Sequence, residues 1–140
     1  MKYSFASALI LLIYGSVLTT TSFAQDQNTW THTYIKAKEG QKINMKAFLE
    51  ANWFVMDSIA VAQGLFNDYE LIENTSTDAT SEWDYIVAVE YYTLGTYADI
   101  AEDWAMIREQ HKKVLINGLD FGDLGSVTKS ENVTRHTYPE

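Results

Sequence analysis

Cysteine is absent from this sequence. That excludes disulfide bridges, thiolate metal sites and a lipidated N-terminal cysteine. Basic residues are scarce: 10 Lys and Arg stand against 19 Asp and Glu, for a net charge of −9. No basic run occurs, so neither nucleic acid nor an anionic membrane surface is an expected partner. No apolar stretch reaches the roughly 20 residues that a spanning helix needs. The Gly- and Asp-rich stretch 116–125 lacks calcium-loop spacing at Asp120 and Asp123. The Asp-Phe-Gly at 120–122 has no other kinase element beside it. No cofactor is expected.

What the chain does carry begins with a leader pattern. Lys2 supplies a positive start, residues 6–18 (ASALILLIYGSVL) an apolar core, and Ser22-Phe23-Ala24 a small-residue cleavage site. A secretory signal is expected over residues 1–24, cut after Ala24, with one domain over 25–140 and a secreted or periplasmic address. Removing 24 of 140 residues leaves 116, and losing their single cation takes the charge from −9 to −10. A secreted domain without disulfides is held by its core, and 4 Trp, 9 Tyr and 6 Phe can supply one. Asn74-Thr75-Ser76 and Asn132-Val133-Thr134 fit the N-glycosylation pattern, which has meaning only in a eukaryotic source.

The strongest strand signal is residues 83–94, WDYIVAVEYYTL. One alternating face carries Tyr85, Val87, Val89 and Tyr91; the other carries Ile86, Ala88, Glu90, Tyr92 and Leu94. Both are apolar except at Glu90, so both faces of this strand are expected to be covered. Residues 30–38 alternate as a first strand ending at Glu39-Gly40. Residues 43–63 form a helix with Gly64 at its left-handed cap, and its stripe is Met45, Phe48, Leu49, Asn52, Met56, Ile59 and Ala60. Trp53, Phe54 and Val61 lie off that stripe, so this helix needs a second cover or lines a pocket. A second strand at 65–73 and a polar loop at 74–82 lead into the central strand.

Thr96 and Asp99 resemble a capping box for a second helix. Its stripe runs from Tyr97 through Ile100, Trp104, Ile107 and His111 to Val114 and Leu115. Residues 116–125 read as irregular, and a last strand is best placed at 132–138. The order strand, helix, strand, strand, helix, strand is the α+β ferredoxin-like plan: a four-stranded antiparallel sheet, helices on one face, and the first and third strands central.

With that order, the run Tyr34 to Gly40, residues 50–53 in the first helix, Gly64 and the aromatic central strand resemble the dimeric α/β-barrel superfamily. Antibiotic-biosynthesis-monooxygenase-like and NIPSNAP-like domains belong to it, and the likeness is nearest to small secreted bacterial proteins of unknown function. The resemblance spans most of residues 30–138 and implies a homodimer with sheets packed face to face. The chain departs from the enzyme branches in lacking a haem-ligand motif or a monooxygenase signature.

Glu90 interrupts an apolar face, where desolvation favours acid–base use; the structural alternative is an ion pair with Arg135 or Lys36. His111 falls on the core stripe of the second helix, as a haem or metal ligand, as a catalytic partner, or as a hydrogen-bonded core residue. His32 and His136 fall on neighbouring strands and with Glu90 would compose a two-histidine, one-carboxylate set. Trp53, Tyr85, Tyr91, Tyr92 and Trp104 are candidates to line an apolar ligand cavity, with His32 and His136 beside them, or else belong to core and dimer interface. The leading expectation is a homodimer that binds a small apolar or aromatic molecule between sheet and helices. The alternatives are a cofactor-independent oxygenase or isomerase using Glu90 and a histidine, and a structural or interaction protein of the cell envelope.

Overall fold

The computed structural model describes residues 28–76, 78, 80–91 and 97–136. The expected leader, Tyr92, Leu94 and Thr96 lie outside them. Strand β1 (Asn28–Ala37) leads to helix α1 (Lys42–Phe48), a π-helical turn (Leu49–Trp53) and α2 (Phe54–Ala62). Strands β2 (Phe66–Glu73) and β3 (Tyr85–Tyr91), helix α3 (Tyr97–Gln110), one-turn helix α4 (Phe121–Leu124) and strand β4 (Gly125–Arg135) follow. The four strands lie in the order β2-β3-β1-β4, every pairing antiparallel. With β1 and β3 central, this is the ferredoxin-like α+β arrangement.

The helices cover the sheet face that carries Tyr85, Val87, Val89 and Tyr91, here the inner face. At one end Ile35, Tyr85 and Val87 pack against Met45, Phe48 and Leu49 of the first helical run, with Leu124 of α4. At the other end Phe66 and Tyr91 meet Ala60 of α2 and Ile107 of α3. Burying each such side chain contributes about 1.5–3 kcal/mol. Gly64, at φ 74°, ends α2. Its N–H reaches Val61 O at 3.0 Å while Leu65 N–H reaches Ala60 O at 2.9 Å. These are the paired bonds of a left-handed helix cap. Asp120 and Asp123 cap α4 reciprocally, which gives both carboxylates a structural task.

The junction residues Phe48, Leu49, Trp53 and Phe54 all keep right-handed helical dihedrals, so α1, the π turn and α2 make one continuous helical run. Along it Met45, Phe48, Leu49, Asn52, Asp57 and Ala60 are buried. A π turn takes up one extra residue. The buried stripe therefore slips by one position after Asn52. Ile59, expected inside, is 37% exposed, and Asp57, off the expected stripe, is 3% exposed.

Both faces of β3 are buried within this one chain, and side chains of the same sheet cover part of the outer face. The Arg135 guanidinium lies over the Trp30 ring, 3.8 Å from its centroid, and pairs with Glu70 on the opposite edge strand. Beneath this strap lie Ala88, opposite Glu70, and Glu90, opposite Trp30. Further along, Tyr34 donates to Glu131 at 2.8 Å and meets Trp83 edge-on.

Three boundaries differ from the sequence reading. Helix α3 stops at Gln110, so His111, Val114 and Leu115 leave its stripe, and the last two are 44% and 50% exposed. The stretch 116–125 contains α4. Strand β4 starts at Gly125 and is already paired before 132, because Gly125 sits directly opposite Ala37 and holds the strand against β1.

Candidate functional site

A cavity of about 650 Å³ lies between the inner sheet face and helices α2 and α3. Its existence follows from side-chain size. On this half of the sheet the inner positions of β1 and β4 are Thr31, Thr33, Ser130 and Asn132, all short and polar. On α3 only Ile107 is buried, so the helix stands off the sheet. Val87, Val89, Tyr91 and Phe66 complete the sheet side. Trp53, Met56 and Asp57 line it from the first helical run, and Tyr97, Trp104 and Arg108 from α3. Phe66 packs on Trp104 at 5.2 Å and edge-on to Tyr91 at 5.7 Å, which sets an aromatic wall. The Thr31 hydroxyl lies 3.1 Å from Tyr91 Oη and 2.9 Å from Asn132 Oδ1. Burial pushes the Tyr91 phenol above its usual range.

Asp57 is the carboxylate in this lining. Its Oδ2 has no hydrogen-bond partner among the described residues, and burial pushes its carboxyl up to about 7. It occupies the first turn of α2. The helical run continues upstream, so no free helix N-terminus is there to stabilise the charge. At neutral pH this group exchanges a proton readily. The sequence reading missed it by following an unbroken 3.6-residue period. One signal was legible: Trp53 and Val61, the off-stripe apolar residues, flank Asp57 at four-residue spacing on each side.

Of the candidates read from sequence, Trp53, Tyr91 and Trp104 line the cavity. Tyr92 lies outside the described residues. Tyr85 belongs to the core at the other end of the sheet, where its hydroxyl donates to Lys42 O at 3.0 Å and burial pushes its phenol to about 12. Glu90 is 5% exposed on the outer face, and its Oε2 accepts from Asn67 Nδ2 at 2.7 Å. Neither expected cation reaches it: Arg135 pairs with Glu70, and Lys36 with Asp84 at 3.3 Å.

His111 sits just past α3, its Nε2 3.0 Å from Asn52 Oδ1. Asn52 also binds Phe48 O and both backbone groups of Val114, so this histidine helps clamp the loop after α3 to the helix. It does not line the cavity. His32 lies on the outer face opposite Glu131, and desolvation followed by Arg135 lowers its pKa. His136 is exposed beyond the end of β4, five positions from Glu131 and so about 16 Å along the strand. The two-histidine, one-carboxylate set therefore does not assemble. Among the described residues no group of three His, Asp or Glu is placed to hold a metal.

No family model matches this chain, and no curated protein matches it either. Among solved structures, it is similar to a dimeric protein of unknown function and ferredoxin-like fold from Bacteroides fragilis NCTC 9343. That likeness covers 79% of this chain and 96% of the other, at 14% identity and a TM-score of 0.41.

Proposed function

We propose that this protein binds a small apolar or aromatic molecule in the cavity between its sheet and helices α2 and α3. One observation carries this reading: a space of about 650 Å³, within the ligand-pocket range, walled by Phe66, Tyr91, Trp53 and Trp104. The test is titration with naphthalene and 2-phenylethanol, read by quenching of Trp53 and Trp104 fluorescence. Saturable quenching supports the reading. Val89→Trp fills the space from the sheet side and abolishes the quenching while the circular dichroism spectrum is retained. Unsaturable quenching, unchanged in the variant, refutes it.

A second reading is favoured by Asp57. An acid of this kind, buried beside an aromatic wall, suits proton transfer without a cofactor, in the manner of an isomerase or oxygenase. Asp57 takes the role in which Glu90 and a histidine were expected.

Two further parts of the proposal rest on sequence. The pattern of residues 1–24 supports export with cleavage after Ala24, tested by the intact mass of exported protein. Homodimerisation is supported by the resemblance to the dimeric barrel superfamily, and light scattering at micromolar concentration tests it.

A further inference from the structure

We propose that the cavity is built for an organic ammonium ion: a protonated amine carried on a small aromatic or apolar body, with its charge on Asp57. This rests on the cavity reading above and deepens it.

Two independent features point to this chemistry. The first is the unanswered carboxylate. Asp57 is 3% exposed, its Oδ2 lacks a hydrogen-bond partner among the described residues, and no ion pair there answers its charge. A buried carboxylate without a partner is costly. A site that retains one beside an open space has room for the missing cation to come from outside. The second feature is the wall. Trp53, Trp104, Phe66, Tyr91 and Tyr97 surround the space with aromatic rings, whose faces attract cations. Neutral hydrocarbons need the rings but not the acid. Anions are repelled by both.

The other titratable groups around the cavity fit this assignment. Tyr91 on β3, whose phenol burial pushes above its usual range, and Tyr97 on α3 bring hydroxyl groups. Strands β1 and β4 contribute only Thr31, Thr33, Ser130 and Asn132. Among the described residues Arg108 is the one cation in the lining; it is exposed, and its guanidinium sits 3.5 Å from Tyr97 Oη rather than on Asp57. It leaves the carboxylate free for a ligand. The net charge of −9 also draws cations toward the molecule.

The test is isothermal titration calorimetry with three probes that share a phenylethyl body: 2-phenylethylamine, 2-phenylethanol and 3-phenylpropionate. At pH 8 the amine is expected to bind about tenfold or more tightly than the alcohol, and the acid most weakly. Below pH 7, where Asp57 takes up a proton, the amine's affinity falls by about tenfold per unit while the alcohol's stays level. Asp57→Asn removes the amine's advantage and its pH dependence, and keeps the alcohol affinity, which also reports that the variant is folded. If the alcohol or the acid binds as well as the amine, or if Asp57→Asn leaves the preference intact, the ammonium assignment is wrong and the apolar cavity stands. If none of the three binds, the cavity reading falls and this assignment with it.

Discussion

Replacing Asp57 by Asn changes little in shape and removes one ionisation. In the folded chain that carboxyl is raised by burial from 3.8 to about 7. The folded state therefore holds a proton that the unfolded chain has already released across that window. Stability falls as pH rises through it, and the loss is complete above pH 7. At about 1.4 kcal/mol per unit, the full penalty is about 4 kcal/mol at pH 8, an upper bound because water can reach an opened cavity. At pH 5 the same arithmetic leaves about 1.5 kcal/mol. Asn carries no such ionisation. Its own packing and hydrogen-bonding cost is the same at both pH values and cancels in the comparison. Urea denaturation of both proteins at pH 5 and pH 8 is the assay. The stability of the variant relative to the natural chain should rise by about 2.5 kcal/mol between those pH values. A difference that is flat with pH would show that Asp57 is solvated or paired when folded, and would refute both its burial and its proposed charge.

Gly125→Ala should cost more than about 2 kcal/mol in the same assay, because an added Cβ meets Lys36 O at 2.3 Å and Met45 Cε at 2.7 Å. Glu90→Gln should leave stability within about 1 kcal/mol, since its hydrogen-bond partner is the neutral Asn67 and no cation is stranded; a larger loss would reveal an ion pair. Arg135→Ala should expose Trp30, shift tryptophan emission to the red and cost about 1 kcal/mol, mostly from the lost stacking, because the Glu70 pair is partly solvated.

The ferredoxin-like plan was legible because its signals are local. The double-sided apolar run at β3, the glycine after α2 and the polar hairpin loop each constrain one element, and their order leaves few topologies. Strand β4 was harder to place, since an exposed edge strand of Ser, Thr, Lys and Glu shows no apolar alternation. Burial of the outer face was legible from pattern, but the share of it that this chain's own Arg135, Trp30 and Glu70 provide was not. Pattern registers that a face is buried, not by what, and a guanidinium laid over Trp30 from the far end of the chain leaves no periodic trace. His111 was misplaced because its spacing continues the α3 stripe although the helix has already ended at Gln110. Three ring positions of the cavity were readable as aromatics, but its acid was hidden by a change of helical period.

That change has a consequence for how this cavity can vary. The side chain facing the sheet is decided by phase as much as by composition. Each residue of a helix turns it by about 100°, so the same residues wound as an uninterrupted α-helix would bring α2 round by that angle and carry Asp57 off the face that Met45 and Leu49 share. Deleting one residue of the π turn, such as Ala51, would do the reverse: the bulge would go, and Asp57 would stay within about 20° of that face. The pocket's acid is thus held in place by a count of residues, and a single-codon deletion in the turn would preserve it where a change of winding alone would not.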